Sequence, residues 1–183
     1  MEKTGDLKAR ARDLLLGIPR EDMQPLLAKG RWTCDSNWMM ALVMNAGWEA
    51  ANAANLEVGK AAGKAEMHRL MKLLDLKEPA NDDEFIFQLT LAMESFVTGD
   101  YWDYEIRNVD GTWLGIVRRC YAYTKTKSIG VQDDYLCGCF GLRAGWYQAM
   151  GLKVEERLVK CMKEGEDRCE VALENIEYHI DAQ

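Results

Sequence analysis

Histidine, proline and long apolar runs are scarce in this 183-residue chain, which carries two histidines and three prolines. No apolar stretch approaches the ~20 residues that span a bilayer. The opening segment, MEKTGDLKARARDLLLG, scatters charges through its apolar positions, where a signal peptide would separate them. A cytoplasmic protein without membrane association is therefore expected. Excess positive charge is missing too. The net charge of −7 and pI of about 5.0 oppose a phosphate backbone, so no nucleic acid partner is expected. The sequence has no phosphate-cradling loop, no dinucleotide fingerprint and no serine nucleophile elbow. His68 sits beside Arg69 and His179 lies near the C-terminus, so a Cys–His catalytic pair has poor candidates.

The composition, 48% hydrophobic and 29% charged, is that of an ordinary globular protein. The length suits one domain with a full core. A single domain over residues 1–183 is expected, helical over 1–99 and sheet-forming over 100–183. In the first part, residues 6–17 read as an amphipathic helix and Glu21–Lys29 as a short second one after Pro19. Asp35 or Ser36 can cap a longer helix carrying Trp38, Leu42 and Ala46. A break at Gly47 leads to an Ala-rich helix reaching Leu76, with Met67, Leu70, Met71 and Leu74 on one face. Asn81 or Asp82 caps a further helix with the stripe Phe85, Leu89, Ala92, Met93 and Phe96, closed by Gly99.

Beyond Gly99 the period becomes two. Trp102, Tyr104 and Ile106 alternate with Asp103, Glu105 and Arg107, and Asp110-Gly111 signals a tight hairpin into TWLGIVRRCYAY. That turn sets Asp103 opposite Arg118 and Tyr104 opposite Val117. A helix from Cys139 to Met150 follows, then strands near Val154–Lys163 and Arg168–Ile176. The expected fold is α+β: an antiparallel sheet of about four strands, in two hairpins joined by a crossover helix, with four or five N-terminal helices packed on it.

Six cysteines in a reducing compartment point to metal or redox chemistry before structural bridges. With the second hairpin centred on Gly165, Cys161 stands opposite Cys169, flanked on the same face by Val159 and Val171. Opposed Cβ atoms lie ~4.5–5.5 Å apart, close enough for both sulfurs to bind one ion. Cys137 and Cys139, a Cys-Gly-Cys at the start of the crossover helix, can complete a metal site, and Cys120 can replace either of them. Zinc is favoured over an iron–sulfur cluster because no CxxC run is present. Burial of the thiols as packing, and a reversible Cys161–Cys169 disulfide, are the alternatives.

The stretch from Cys137 to Leu173, with Glu164-Gly165-Glu166-Asp167-Arg168-Cys169 leading into a last strand, resembles the C-terminal motif of 4-vinyl-reductase-like domains. These bind small molecules in aromatic-compound sensors and beside tetrapyrrole enzymes. The resemblance implies a zinc ion near a ligand pocket, held by Cys161, Cys169 and Cys137 or Cys139 together with an acidic residue. At the acidic position this chain has Leu158. Asp35 to Leu76, with Trp38, Gly47, Glu49 and Ala50, also looks like an uncharacterised prokaryotic family. In layout it is similar to L-2-amino-thiazoline-4-carboxylic acid hydrolase-like proteins.

Six tryptophans and ten methionines suit an adaptable apolar pocket. The leading expectation is a binding protein for a small hydrophobic or aromatic molecule, with Trp38, Trp102, Tyr104, Trp113 and Trp146 as pocket residues beside the zinc site. The competing expectation is a metal- or thiol-dependent hydrolase of a small heterocyclic substrate. No catalytic residue is assigned to it, although Asp103 or Glu105 could act as a base. The stripe Trp38, Met39, Leu42 and Val43 suggests a homodimer, or a protein partner, through the N-terminal helices.

Overall fold

The computed structural model of the chain describes residues 4–97 and 101–179. Three helices come first: α1 (Thr4–Leu16), α2 (Arg20–Leu74) and α3 (Asp82–Phe96). The hairpin β1 (Trp102–Val109) and β2 (Thr112–Cys120) follows, then α4 (Tyr121–Ser128), α5 (Cys139–Ala149) and a second hairpin of β3 (Leu152–Lys160) and β4 (Cys169–Tyr178). The fold is α+β with one four-stranded antiparallel sheet in the order β1-β2-β4-β3. The two hairpins join through their inner strands β2 and β4, and α4 and α5 lie in the crossover between them.

Three helical expectations need adjustment. A break after Lys29 does not occur, because α2 runs unbroken through Gly30 to Ala46. Ser36 does not cap a helix there: its hydroxyl donates to the carbonyl of Trp32 at 2.7 Å, and Thr33 does the same to Lys29 at 2.8 Å. These residues satisfy themselves on the preceding turn, which lets them sit inside a helix. Asp35 pairs instead with Arg31, one turn back, at 3.8 Å. The anticipated break at Gly47 is present, with φ 79° and ψ 172°, a conformation open to glycine alone. At α3 the Asn81 side chain accepts from the Glu84 amide at 3.0 Å, as a capping residue should. The closing role given to Gly99 lies outside the described residues. Finally, β2 ends at Cys120, and YAYTKTKS forms α4 rather than more strand.

Both hairpins carry a bulge. In the first, Tyr104 faces Val117 as expected, but a shift between Asp103 and Tyr104 sets Asp103 opposite Arg119. Arg118 is the extra residue, and it forms an ion pair with Glu105 and reaches Asp103 only at 3.9 Å. In the second, Lys160 faces Glu170, but a shift between Leu158 and Lys160 sets Leu158 opposite Val171. Val159 is therefore extruded and 42% exposed while Val171 is buried, so the two do not share a face.

The core lies where α3 and α5 meet the sheet. Phe85, Leu89 and Met93 of α3 and Trp146, Tyr147 and Met150 at α5 are buried with Val171 and Leu173 of β4. Behind α5 runs the second segment of α2, and the two helices touch backbone to backbone. A Cβ on Gly63 would overlap the carbonyl oxygen of Leu142, one on Gly141 that of Leu56, and one on Gly145 that of Lys60. Gly59-x-x-x-Gly63 on α2 and Gly141-x-x-x-Gly145 on α5 thus form two flat faces laid against each other. Replacing Gly63 by alanine is expected to lower the unfolding free energy in urea by about 3 kcal/mol, the upper part of the usual overpacking cost. Gly30→Ala, in the same helix with open space around it, should raise it by about 0.5–1 kcal/mol. Equal effects of the two would contradict the close contact.

Candidate thiol centre

Five of the six cysteines collect at one end of the sheet. Cys120 ends β2, and its sulfur accepts from the Tyr123 amide at 3.5 Å, capping α4. Cys169 opens β4, next to Val117 of β2. Cys161 follows β3 as the cap of a 3-10 turn over Met162–Glu164, and the Met162 amide reaches the Cys169 sulfur at 3.4 Å. The Cys161 and Cys169 side chains stand close enough to influence one another's protonation, so the cross-hairpin neighbours expected from the register are neighbours in space. Cys137 and Cys139 form a second pair whose protonation is coupled. The two pairs face one another closely enough for Cys139 to act electrostatically on Cys169 and on Cys120. Cys34 is exposed on α2 and stands apart from the group.

The loop that carries Cys137 is pinned from below. Asn52 of α2 donates to the carbonyl of Asp134 at 2.8 Å and accepts from the amide of Leu136 at 2.9 Å. The Tyr135 hydroxyl accepts from the Gly138 amide at 3.2 Å, and Lys163, in the second hairpin, donates to the Tyr135 carbonyl at 2.7 Å. Gly138 itself leaves no room for a side chain beside Asn55. The Cys-Gly-Cys therefore turns into α5 with its glycine against α2.

Behind Cys139 lies a buried polar group. Arg143 grips Glu156 of β3 through two hydrogen bonds of 2.6 and 2.7 Å, and the Tyr147 hydroxyl donates to the same carboxylate at 2.6 Å. Burial drives the Tyr147 hydroxyl well above its ordinary value, and the Glu156 carboxylate adds to the rise. Arg143 stays protonated against burial because Glu156 and Cys139 favour its charge. The Cys137–Cys139 pair sheds its first proton below the ordinary thiol range. Cys139 carries the thiolate, because Cys137 donates to it and the Arg143 charge stands beside it. Burial pushes the Cys120 thiol the other way, up to about 12.

Among the described residues, no three His, Cys, Asp or Glu side chains stand close enough to hold one metal ion. The chemistry of the donors nevertheless suits a soft ion. Sulfur donors of this kind suit zinc, and the two pairs would have to draw together to bind one ion. Glu156 is not a free acidic donor, since Arg143 and Tyr147 occupy it. Leu158, at the acidic position implied by the resemblance, is 42% exposed beside the bulge.

The five aromatic residues expected to line a pocket do not converge. Trp38 is 68% exposed on α2, whereas Trp146 is fully buried against Phe96 and donates to Glu66 at 3.3 Å. Trp113 donates to Asp82 at 3.1 Å, and Trp102 stacks near Trp32 with ring centroids 6.3 Å apart. Tyr104 alone among them borders the cavity between α3, α5 and the sheet, where it donates to Glu94 at 2.7 Å. That cavity is about 40 Å³, room for water but far below the ~300–1,000 Å³ of ligand pockets. Sequence reading passed over Arg143, Tyr147 and Glu156. Their signal was a polar stripe, Cys139, Arg143 and Tyr147 at i, i+4 and i+8, on an otherwise apolar helix.

The comparisons with known proteins bear on the fold. No family model matches the sequence, and no curated protein does either. The structure is similar to that of a trafficking protein particle complex subunit 3 from Naegleria fowleri, solved with palmitic acid covalently bound. The TM-score is 0.61 at 11% identity, over 86% of this chain and 99% of that one. At this identity the likeness is one of fold. Among the described residues, no helix is long and apolar enough to cross a membrane.

Two outcomes follow from this geometry. Arg143→Met strands the buried Glu156 carboxylate and should cost about 3–5 kcal/mol in urea unfolding, most of it recovered in Arg143→Met/Glu156→Met, because removing both charges removes the penalty. In metal-free protein at neutral pH, iodoacetamide should modify Cys139 ahead of Cys120 and Cys169, as peptide mapping would show. The Cys137–Cys139 pair loses its first proton below the ordinary ~8.5 of a free thiol and holds its second above it. Its contribution to stability therefore grows as pH rises through the lowered value, peaks near the ordinary value and falls again beyond it, as urea midpoints across pH would show.

Proposed function

We propose that this chain is a binding subunit, not a catalyst, whose cysteine cluster takes up one zinc ion through Cys137, Cys139, Cys161 and Cys169. The observation behind this is convergence: two thiol pairs, carried by the loop before α5 and by the second hairpin, face each other at one end of the sheet. Separate packing choices do not account well for pairing within each set together with proximity between them. A zinc ion would draw the two pairs together through metal–thiolate bonds and tie the second hairpin to the crossover helix. Cys120, close by on β2 but engaged in capping α4, is the reserve ligand. The resemblance to 4-vinyl-reductase-like domains agrees with this assignment of Cys161, Cys169 and the earlier cysteine.

A small hydrophobic ligand belongs to the same proposal, in the space between α3, α5 and the sheet. That space must widen around Leu89, Met93 and Tyr104 to admit one. The fold likeness to a trafficking-complex subunit makes assembly with other proteins, in the cytoplasm, the natural setting. A second reading has one observation in its favour: the thiolate character of Cys139 beside Arg143 suits a nucleophile. It names no general base, since neither histidine of the chain stands in the cluster.

The test is metal content, by elemental analysis, of protein purified without chelating resin and after reconstitution with zinc. Near one zinc per chain is expected, with four thiols protected until chelation. Cys161→Ser/Cys169→Ser should bind less than a tenth as much zinc at the same free concentration, since two of four ligands are lost. No uptake, with every thiol reacting freely in the folded protein, would remove the zinc reading.

A further inference from the structure

The second hairpin holds its two cysteines in a geometry that metal binding alone does not require. Cys161 follows the last ladder pair, Lys160 opposite Glu170, so the next facing position on β4 is Cys169. The Cys161 backbone is extended, with φ −139° and ψ 126°. Its carbonyl is taken by the amides of Glu164 and Glu166, at 2.9 and 3.4 Å. The two cysteines therefore meet as a non-hydrogen-bonded pair, the setting in which facing Cα atoms stand ~4.5 Å apart. A disulfide spans Cα atoms ~4.4–6.8 Å apart, so this setting admits a bridge without backbone movement. The Met162 amide, one residue on from Cys161, lies 3.4 Å from the Cys169 sulfur and holds that side chain at the start of the loop.

The other thiols are placed less well for a bridge. Joining Cys137 to Cys139 would require Gly138 to leave its helical conformation, φ −62° and ψ −15°. Gly138 is wedged against Asn55, and the loop before it is held by Asn52 and Lys163. Cys120 is engaged in capping α4. A bridge from one pair to the other would have to cross the gap that a metal ion would draw closed. We propose that Cys161 and Cys169 are the redox-active pair of the centre, oxidised to a bridge by a low-molecular-weight disulfide and thereby withdrawn from zinc. Two S–H bonds are lost and one S–S bond forms, while two electrons and two protons pass to the reagent, which leaves as two thiols. Cys169 is half-buried, within reach of a small reagent, and Cys161 is buried beside it. Whichever sulfur is attacked first, exchange among neighbouring thiols carries the oxidation to the bridge of least strain. Zinc is released unchanged in charge, and the second hairpin loses its tie to α5. The consequence for zinc rests on the function proposed above, whereas the bridge itself does not.

The test equilibrates the full chain, metal-free, in glutathione buffers of rising disulfide-to-thiol ratio, followed by acid quenching and non-reducing peptide mapping. One bridge per chain, Cys161–Cys169, is expected, and dithiothreitol should reverse it fully. The bridged protein should take up less than about a tenth of the zinc that the reduced protein does, since two of four ligands are lost. Zinc-loaded protein should need a buffer about tenfold more oxidising for half conversion, because the metal holds the reduced form. Cys161→Ser should give mixed disulfides with glutathione and no bridge from Cys169. A main bridge between Cys137 and Cys139, or between the two pairs, overturns the proposal. So do mixed disulfides alone in the parent, or a bridged chain that holds zinc as fully as the reduced one. The mapping uses metal-free protein, so it decides the pairing even where the reduced chain takes up no zinc, an outcome that removes the zinc reading and not the bridge.

Discussion

The backbone contact between α2 and α5 is the constraint on which the rest of this structure depends. Gly63 on one helix and Gly141 and Gly145 on the other, with Gly59 in tight contact beside them, allow the axes to approach until carbonyl oxygens occupy the places where Cβ atoms would be. Once α5 is seated this closely, its N-terminus brings the Cys-Gly-Cys against α2, where Asn52 holds the preceding loop through both of its side-chain groups. Its opposite face presents Arg143 and Tyr147 to Glu156 of β3. Even one methylene in the crossing would move the thiol pair relative to the second hairpin, since a close-packed interior transmits such shifts.

The polar cluster behind Cys139 has a consistent electrostatic logic. A buried carboxylate is tolerated because an arginine takes both its oxygens and a tyrosine hydroxyl takes one of them again. The same arginine leaves its charge next to Cys139, so the site that secures β3 to α5 also biases one thiol of the cluster towards thiolate. Structure and reactivity share one side chain here, which is why Arg143 belongs to both.

Much of this was readable along the chain, for identifiable reasons. The period-two segments, the Asp110-Gly111 turn and the Asn81 cap located β1, β2 and α3 because local chemistry and tertiary structure agree there. The turn at Gly165 set Lys160 opposite Glu170 and so brought Cys161, just past β3, near Cys169, although a bulge at Val159 upsets the register beyond. Glycine was read only at breaks and turns, so the passage of α2 through Gly30 and the Gly-x-x-x-Gly packing surfaces on α2 and α5 went unread. The helix α4 was hidden because Tyr121, Ala122 and Tyr123 continue a strand-like pattern, and only the sulfur of Cys120 on the Tyr123 amide ends it. The aromatic pocket failed to assemble because its members lie apart: Trp113 is held on Asp82, Trp146 on Glu66, Trp102 against Trp32, and Trp38 is exposed on α2.

Whether the two thiol pairs act as one centre is tested most directly by X-ray absorption at the zinc edge of the reconstituted protein. A first shell of four sulfurs at ~2.3 Å, as in closed structural zinc sites, is the predicted result. A shell dominated by oxygen or nitrogen, or one holding only two sulfurs, would mean that the pairs do not close on a common ion and would contradict it.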